Sequence, residues 1–337
     1  MKNVKILQIV FWVFGFAVFL DFFMFPEIAL HAFWNVLIPV APALFVVAPG
    51  LWRNVCPLGS TVLLSHKFKF SLGLKITQRT QDRLSFIGLA LLFLLVPFRH
   101  VIMNTSGIAT ALTILAMTLI GFILTVFFTN KSVWCSGMCP VHHVEKFYGL
   151  KPVYELPNAH CDKCSRCVKV CPDSVPSKMS YNPHLGSRLQ RFNTSVMIGA
   201  FPGFIWGWFH IPDFHGIAGF DNLFFIYIVP LLFGISSYAA YVFIKTFVPF
   251  DKHQHLVAFY AFLAVSCYYW YRIPSLIGFG NELFLEDGRL VDLSMILPEW
   301  FPILTRILVI VVFAWLLLFR NRGEKAWSTR PQYAVES

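Results

Sequence analysis

Residues 84–98 read LSFIGLALLFLLVPF, without a single charge, and residues 224–244 read FFIYIVPLLFGISSYAAYVFI. An apolar stretch of about 20 residues is what it takes for a helix to cross a hydrocarbon core of roughly 30 Å. Such runs recur along the chain and predict eight spans, at about 6–25, 28–50, 84–102, 108–128, 194–211, 222–247, 256–280 and 297–320. Composition agrees: 57% of the 337 residues are hydrophobic, 37 are Phe, and only 13% are charged, against about 25% in a water-soluble domain. A soluble fold would have to bury several helices that are apolar all round, with too few polar residues to cover them. The expected fold is therefore an all-α polytopic membrane protein. Lys2 and Lys5 precede the first span as in a signal peptide, but no small-residue cleavage site follows, so that span reads as an uncleaved anchor.

Charge sets the expected orientation. Of the 27 Lys and Arg, all but Arg99, Arg272, Arg289 and Arg306 fall on one side of an eight-span arrangement. The other side is acidic, with Asp213, Asp221, Glu282, Glu286, Asp287, Asp292 and Glu299. The rule that positive loops stay inside then predicts a bacterial cytoplasmic membrane protein. Its N-terminus, basic loops and C-terminus face the cytoplasm. The net charge of +10 follows from this topology and needs no nucleic acid to explain it. Seven of the eight cysteines lie on the same side, where thiols stay reduced and metal binding is favoured over disulfides.

Between the apolar runs, residues 160–173 read HCDKCSRCVKVCPD. Cys161, Cys164, Cys167 and Cys171, with Pro172 after the last, give the C-x2-C-x2-C-x3-C-P spacing of bacterial ferredoxins. Two-residue gaps let three thiolates wrap three corners of one iron–sulfur cubane, while the fourth cysteine reaches a different cluster. Cysteine pairs at this spacing also suit zinc, but four in so short a run ending in Cys-Pro favour iron and sulfide. The run needs partner cysteines, and two places offer them. WRNVCPLGS carries Cys56-Pro57 after span two, and WCSGMCPVHHVEKFYG carries Cys135 and Cys139-Pro140 after span four. Aligning Cys56 with Cys139 exposes an internal repeat, a helical hairpin followed by Cys-Pro at the membrane surface. In the first unit Trp52 stands where the second has Cys135.

Paired hairpins ending in C-x3-C-P and followed by a ferredoxin run resemble the polyferredoxin-type membrane proteins of the NapH/NosR group and their CcoG-like relatives. The resemblance covers about residues 1–185. It implies membrane electron transfer through [4Fe-4S] clusters, drawing on the quinone pool and serving a partner redox protein or complex. The chain departs from the pattern at Trp52, in having one ferredoxin run instead of two, and in its last four spans. Three segments follow: hairpins over 1–150, a ferredoxin-like cytoplasmic insertion over 151–193, and four further spans over 194–337, with an acidic outer loop and a basic tail.

One or two clusters fit seven cysteines. In the two-cluster scheme Cys161, Cys164 and Cys167 share a cluster with one Cys-Pro cysteine. Cys171 joins the other two hairpin cysteines on a second. That second cluster lacks a ligand, for which His142, His143 and His160 are candidates, since imidazole replaces thiolate in Rieske centres. The plainer reading of His142-His143 is the start of a short interfacial helix. Cys267 reads as a packed cysteine within a span.

Polar residues also gather toward the opposite face: His31, His100, His210, Asp21 and Arg306. Ionisable groups within spans point by default to a site with a named partner, and Asp21 and Arg306 lie at similar depth. The arginines can also simply snorkel to the surface. Sharper readings are a quinone site using imidazole and carboxylate for protons, or a haem b between two histidines, the less favoured of the two. Residues 281–294 read as a small hairpin around Asp287-Gly288. The chain has no phosphate loop, dinucleotide fingerprint or nucleophile motif, so no bond-making chemistry of its own is expected. Electron transfer leads. An assembly factor supplying electrons to a maturing metalloenzyme, or a structural subunit with degenerate motifs, are the alternatives.

Overall fold

The computed structural model describes residues 2–68, 70–74, 76–128, 133–158, 181–216, 218–279, 288–320 and 325–329. The ferredoxin run, His160 and the first arm of the expected 281–294 hairpin lie outside them. The second arm runs back against the last membrane helix before it, with Leu290 and Val291 N–H donating to the Leu276 carbonyl.

The described chain is almost wholly helical. Helix α1 spans Lys2–Met24, and α2 runs through Pro26–Val47. Three short helices follow: α3 (Pro49–Val55), α4 (Pro57–Val62) and α5 (Leu64–Lys67). A second hairpin pairs α6 (Gln78–Phe98) with α7 (Gly107–Phe127), and α8 (Val141–Tyr148) lies beyond it. The second half holds α9 (Arg188–Trp208), α10 (Ala218–Asp221), α11 (Leu223–Phe247), α12 (His253–Leu276) and α13 (Phe301–Ala314). Two-residue strands β1 (Leu156–Pro157) and β2 (Ser328–Thr329) pair in parallel.

Among the described residues seven helices are long and apolar enough to cross a membrane: α1, α2, α6, α7, α11, α12 and α13, several with short extensions. Eight spans were expected, and the difference is the one placed at 194–211. That segment forms the 21-residue helix α9, which falls outside the seven. The reason is its position. From Asn193 to Trp208 most of α9 is buried among other helices, so it needs no apolar face toward lipid and tolerates Arg191, Asn193, Thr194 and Ser195. The outward faces of α1, α11 and α13 carry exposed Ile6, Phe14, Phe224, Ile235, Ile307 and Val311, as helices facing hydrocarbon do.

Close approach holds α9 against α11. Gly199, Gly203 and Gly207 recur every fourth residue on one stripe of α9. A Cβ on Gly203 would fall 2.2 Å from the Phe233 carbonyl oxygen, and one on Gly207 2.8 Å from Pro230 Cα. Ser237 Oγ then reaches across to donate to the Gly199 carbonyl at 2.6 Å. This is the small-residue stripe by which membrane helices pack when apolar burial gives no net drive.

Three of the four π-helical turns fall where polar residues collect. One covers His31–Leu37 within α2, one Arg99–Met103 at the end of α6, and one Trp134–Met138 before α8. The first two lie next to Pro39 and Pro97, which cannot complete a regular hydrogen-bond ladder. A π turn widens the helix by one residue and so re-aims its side chains.

Replacing Gly203 by Val is expected to lower stability in detergent by about 1–3 kcal/mol through overpacking. Gly234→Ala, whose new methyl meets only ordinary contacts at 3.4 Å, should change the melting temperature much less. Equal melting of the two variants would rule out this helix contact.

Candidate metal centre at the Cys-Pro corners

The two Cys-Pro units adopt one backbone conformation. Cys56 has φ −58° and ψ 113°, and Cys139 has φ −62° and ψ 121°. Proline explains the match, because its ring pushes the preceding residue out of the helical region. Each cysteine therefore ends one helical segment, with its N–H bonded to the carbonyl of Trp52 or Trp134, and turns the chain into the next. Cys56 Sγ also caps α4, accepting from Gly59 N–H at 3.4 Å.

The corners stand together. Cys56 Sγ and Cys135 Sγ both face Gly59, where an added Cβ would lie 3.7 and 3.8 Å from them. Cys139 lies within electrostatic reach of both. Beneath, Trp134 packs with Val62 and Leu63, and Cys135 and Cys139 lie against that cluster. Trp134 sits flat on α7 because Gly121 has no side chain to hold it off. Trp52, at the position equivalent to Cys135, turns the other way and packs edge-on against Phe45 at 5.2 Å. The first unit has exchanged a ligand position for a core contact.

Each of the three cysteines keeps part of its surface accessible. Burial pushes the Cys56 thiol up to about 12, with the neighbouring Cys135 adding to it, and pushes Cys139 higher still. Thiols in such a place stay protonated at neutral pH unless a cation offsets the charge. Among the described residues no group of three or more His, Cys, Asp or Glu is placed to hold a metal ion. Cys56 and Cys135 meet at Gly59 and Cys139 stands in the neighbouring Cys-Pro turn, so a metal centre here would need ligands from elsewhere.

One arginine ties the corner together. Arg53, three residues before Cys56, is 7% exposed and uses all three of its nitrogens. Nε donates to both Glu145 oxygens at 3.1 and 3.0 Å, Nη1 to Ser136 Oγ at 3.2 Å, and Nη2 to the Cys135 carbonyl at 3.3 Å. Nη2 also lies 2.9 Å from Glu145 Oε2 and 2.7 Å from His142 Nδ1. The indole of Trp327, from the tail, lies 5.0 Å from the guanidinium carbon and donates its own N–H to the Gly149 carbonyl at 2.9 Å.

The histidines are engaged by protein. Arg53 can only donate, so His142 Nδ1 accepts and the ring proton sits on Nε2. Ligation through Nε2 would move that proton onto Nδ1, against an arginine N–H. His143 accepts from Tyr181 Oη on Nδ1 at 2.6 Å and donates from Nε2 to the Ser85 carbonyl at 2.8 Å. Burial holds His142 well below its ordinary pKa, with Lys146 and Arg53 adding to it, and lowers His143 to about 4. Both rings open helix α8 as buried, neutral parts of the scaffold.

At the other end of the bundle the candidates do not form one site. His100 is fully buried, with Nδ1 2.5 Å from Asp213 Oδ1 and Nε2 3.2 Å from the Trp208 carbonyl. Both nitrogens face oxygens, so neither lone pair is left for haem iron. His31 Nδ1 pairs with Asn35 at 3.0 Å, and His210 Nδ1 with the Trp206 carbonyl at 2.7 Å. Arg306 donates to the Trp270 carbonyl at 3.3 Å and lies over that ring; among the described residues no ion pair joins it to Asp21. Cys267 lies against the main core.

Arg53, Glu145 and Trp327 are what sequence reasoning missed. Arg53 counted there only toward the charge bias. Its signal was position: a basic residue one turn before one Cys-Pro, with an acidic residue soon after the other.

Comparison with protein-family models, curated proteins and solved structures finds no match to this chain.

Arg53→Ala should destabilise the protein by about 3–5 kcal/mol, because it strands the buried Glu145 carboxylate. The double variant Arg53→Met, Glu145→Leu should recover a large part of that loss. Chemical unfolding of the two variants in detergent checks this, and equal losses would contradict it.

Proposed function

We propose that this chain is a membrane-bound iron–sulfur electron-transfer protein of the type its motifs resemble, the NapH/NosR-like polyferredoxins. The observation that carries the reading is the convergence of Cys56, Cys135 and Cys139. Two hairpins separated by more than seventy residues bring Cys56 and Cys135 to Gly59, and Cys56 and Cys139 stand in the same Cys-Pro turn. Burial raises the Cys56 and Cys139 thiols, and packing alone does not call for thiols in such a place. A cationic centre that binds thiolates accounts for them.

The corner would supply Cys56, Cys135 and Cys139, and the ferredoxin run Cys161, Cys164, Cys167 and Cys171. When bound, a [4Fe-4S] cluster takes up and releases single electrons. The protein's own part is to hold the ligands, to keep water from them and to aim N–H groups at sulfur, as Gly59 does at Cys56. Hydrogen bonds and burial of this kind set reduction potential. His142 and His143 are committed to Arg53, Tyr181 and Ser85, which leaves His160 as the imidazole candidate for a second cluster.

The Lys/Arg bias places the cysteine corner on the cytoplasmic side of a bacterial inner membrane. Electrons would come from the quinone pool or a cytoplasmic donor and pass to a partner redox complex. Because the hydrocarbon core is roughly 30 Å thick, the donor must engage at the cysteine end, or a partner must carry the relay.

Iron and acid-labile sulfide per chain, measured on anaerobically purified protein with EPR of the reduced sample, test the reading. About eight iron atoms mean two cubanes, and about four mean one. Cys139→Ser should then remove about four from an eight-iron protein. Zinc in place of iron, or neither metal, would end the proposal.

A further inference from the structure

At the end of the bundle away from the cysteines, positive charge exceeds negative charge inside one crevice. The Arg99 guanidinium lies between two indoles, its carbon 3.8 Å from the Trp34 ring centre and 4.9 Å from that of Trp208. Arg272, 7% exposed, donates from Nη2 to the Trp34 carbonyl at 3.0 Å and to Asn35 Oδ1 at 2.5 Å. The two arginines are electrostatic neighbours, and the Tyr268 hydroxyl is within reach of both. One carboxylate faces them, Asp213, and it is already engaged by His100 and by Asn104 Nδ2 at 2.6 Å. Burial works against that carboxylate. The hydrogen bonds from His100 and Asn104, with the Arg99 charge, outweigh it and hold its pKa below the usual carboxylate value. At least one positive charge is left over.

Donors are left over as well. Arg99 gives Nε to Asn104 Oδ1 at 3.1 Å; among the described residues its two terminal nitrogens donate to nothing, and neither does Tyr268 Oη. Both residues are half-buried, so each retains accessible surface for a ligand to reach. Two π turns, at His31–Leu37 and Arg99–Met103, carry Trp34, Asn35, Arg99 and His100 into the crevice. The two indoles hold the Arg99 guanidinium between them. Snorkelling arginines reach out to water; these are held inward by aromatic rings and carbonyl oxygens.

We propose that Arg99, Arg272 and Tyr268 form an anion site that takes a phosphate group. A planar guanidinium fork matches phosphate oxygens, and a singly charged phosphodiester would cancel the excess charge. Arg99 ends the span through Met103, and Arg272 lies near the end of the span closing at Leu276. That is the depth at which lipid headgroups lie, and a basic pocket between membrane helices suits one. Free phosphate offers the same oxygens.

The test uses full-length, delipidated protein in neutral detergent, titrated separately with phosphatidylglycerol and with inorganic phosphate. Binding is read by native mass spectrometry for the lipid and by melting temperature for phosphate. Arg99→Gln is expected to weaken binding about tenfold, the worth of one charge-assisted hydrogen bond. Tyr268→Phe, which removes one oxygen atom and is safe for folding, should weaken it several-fold. An effect confined to the lipid identifies a headgroup, and an effect seen with inorganic phosphate identifies a free anion. No binding to the wild type, or binding that Tyr268→Phe and Arg99→Gln leave unchanged, would overturn the site.

Discussion

The contact between Arg53 and Glu145 is the constraint on which the cysteine end depends. A buried arginine is costly unless every donor finds an acceptor. Arg53 meets that demand only if α3, the π turn at Trp134–Met138 and α8 stand in one arrangement. Glu145 comes from the second hairpin unit and Arg53 from the first, so their pairing sets the distance between the two Cys-Pro corners. A hydrophobic pair of similar volume would hold the helices together without fixing that register. The polar hub trades stability for definition, at the place where three sulfurs must be kept in position.

The two ends of the molecule treat charge differently. At the cysteine end, Arg53 is balanced by Glu145. At the other end, two arginines share one aspartate, and aromatic rings take the place of carboxylates around Arg99. Both arrangements use π turns, which lift a side chain out of the regular helical sequence and aim it inward. The four-residue glycine stripe on α9 has a different task. It lets the second half of the bundle close on itself and bury α9 between lipid-facing helices.

Much of this was legible in the sequence because it depends on local pattern. Long uncharged runs predict spans whatever their partners, and Pro57 and Pro140 dictate the backbone at Cys56 and Cys139. The internal repeat was visible for the same reason. Helix α9 forms where a span was expected, yet it is less apolar than the other seven because it faces other helices. The Arg53 hub and the Trp34–Arg99–Trp208 stack join residues from 65 (Trp34 to Arg99) to 274 (Arg53 to Trp327) positions apart, brought together by tertiary packing that no window along the chain records. His142 and His143 read as candidates for a missing ligand or, more plainly, as the start of a short helix, which they form. Their roles are decided by Arg53, Ser85 and Tyr181, none of them a sequence neighbour.

Trp327 has a consequence for the order of assembly. Its backbone oxygen lies where a side chain on Gly50 would be, its ring lies over Gly149, and the strand after it pairs with Leu156–Pro157. A residue beyond the last membrane helix thus closes the corner built by the first four. During synthesis that corner stays uncovered until residues 326–329 have emerged and the final helix has been threaded. Completion of the N-terminal half is therefore a late event, timed by the C-terminal segment. A nascent chain halted before α13 presents Arg53 and Glu145 without their cover.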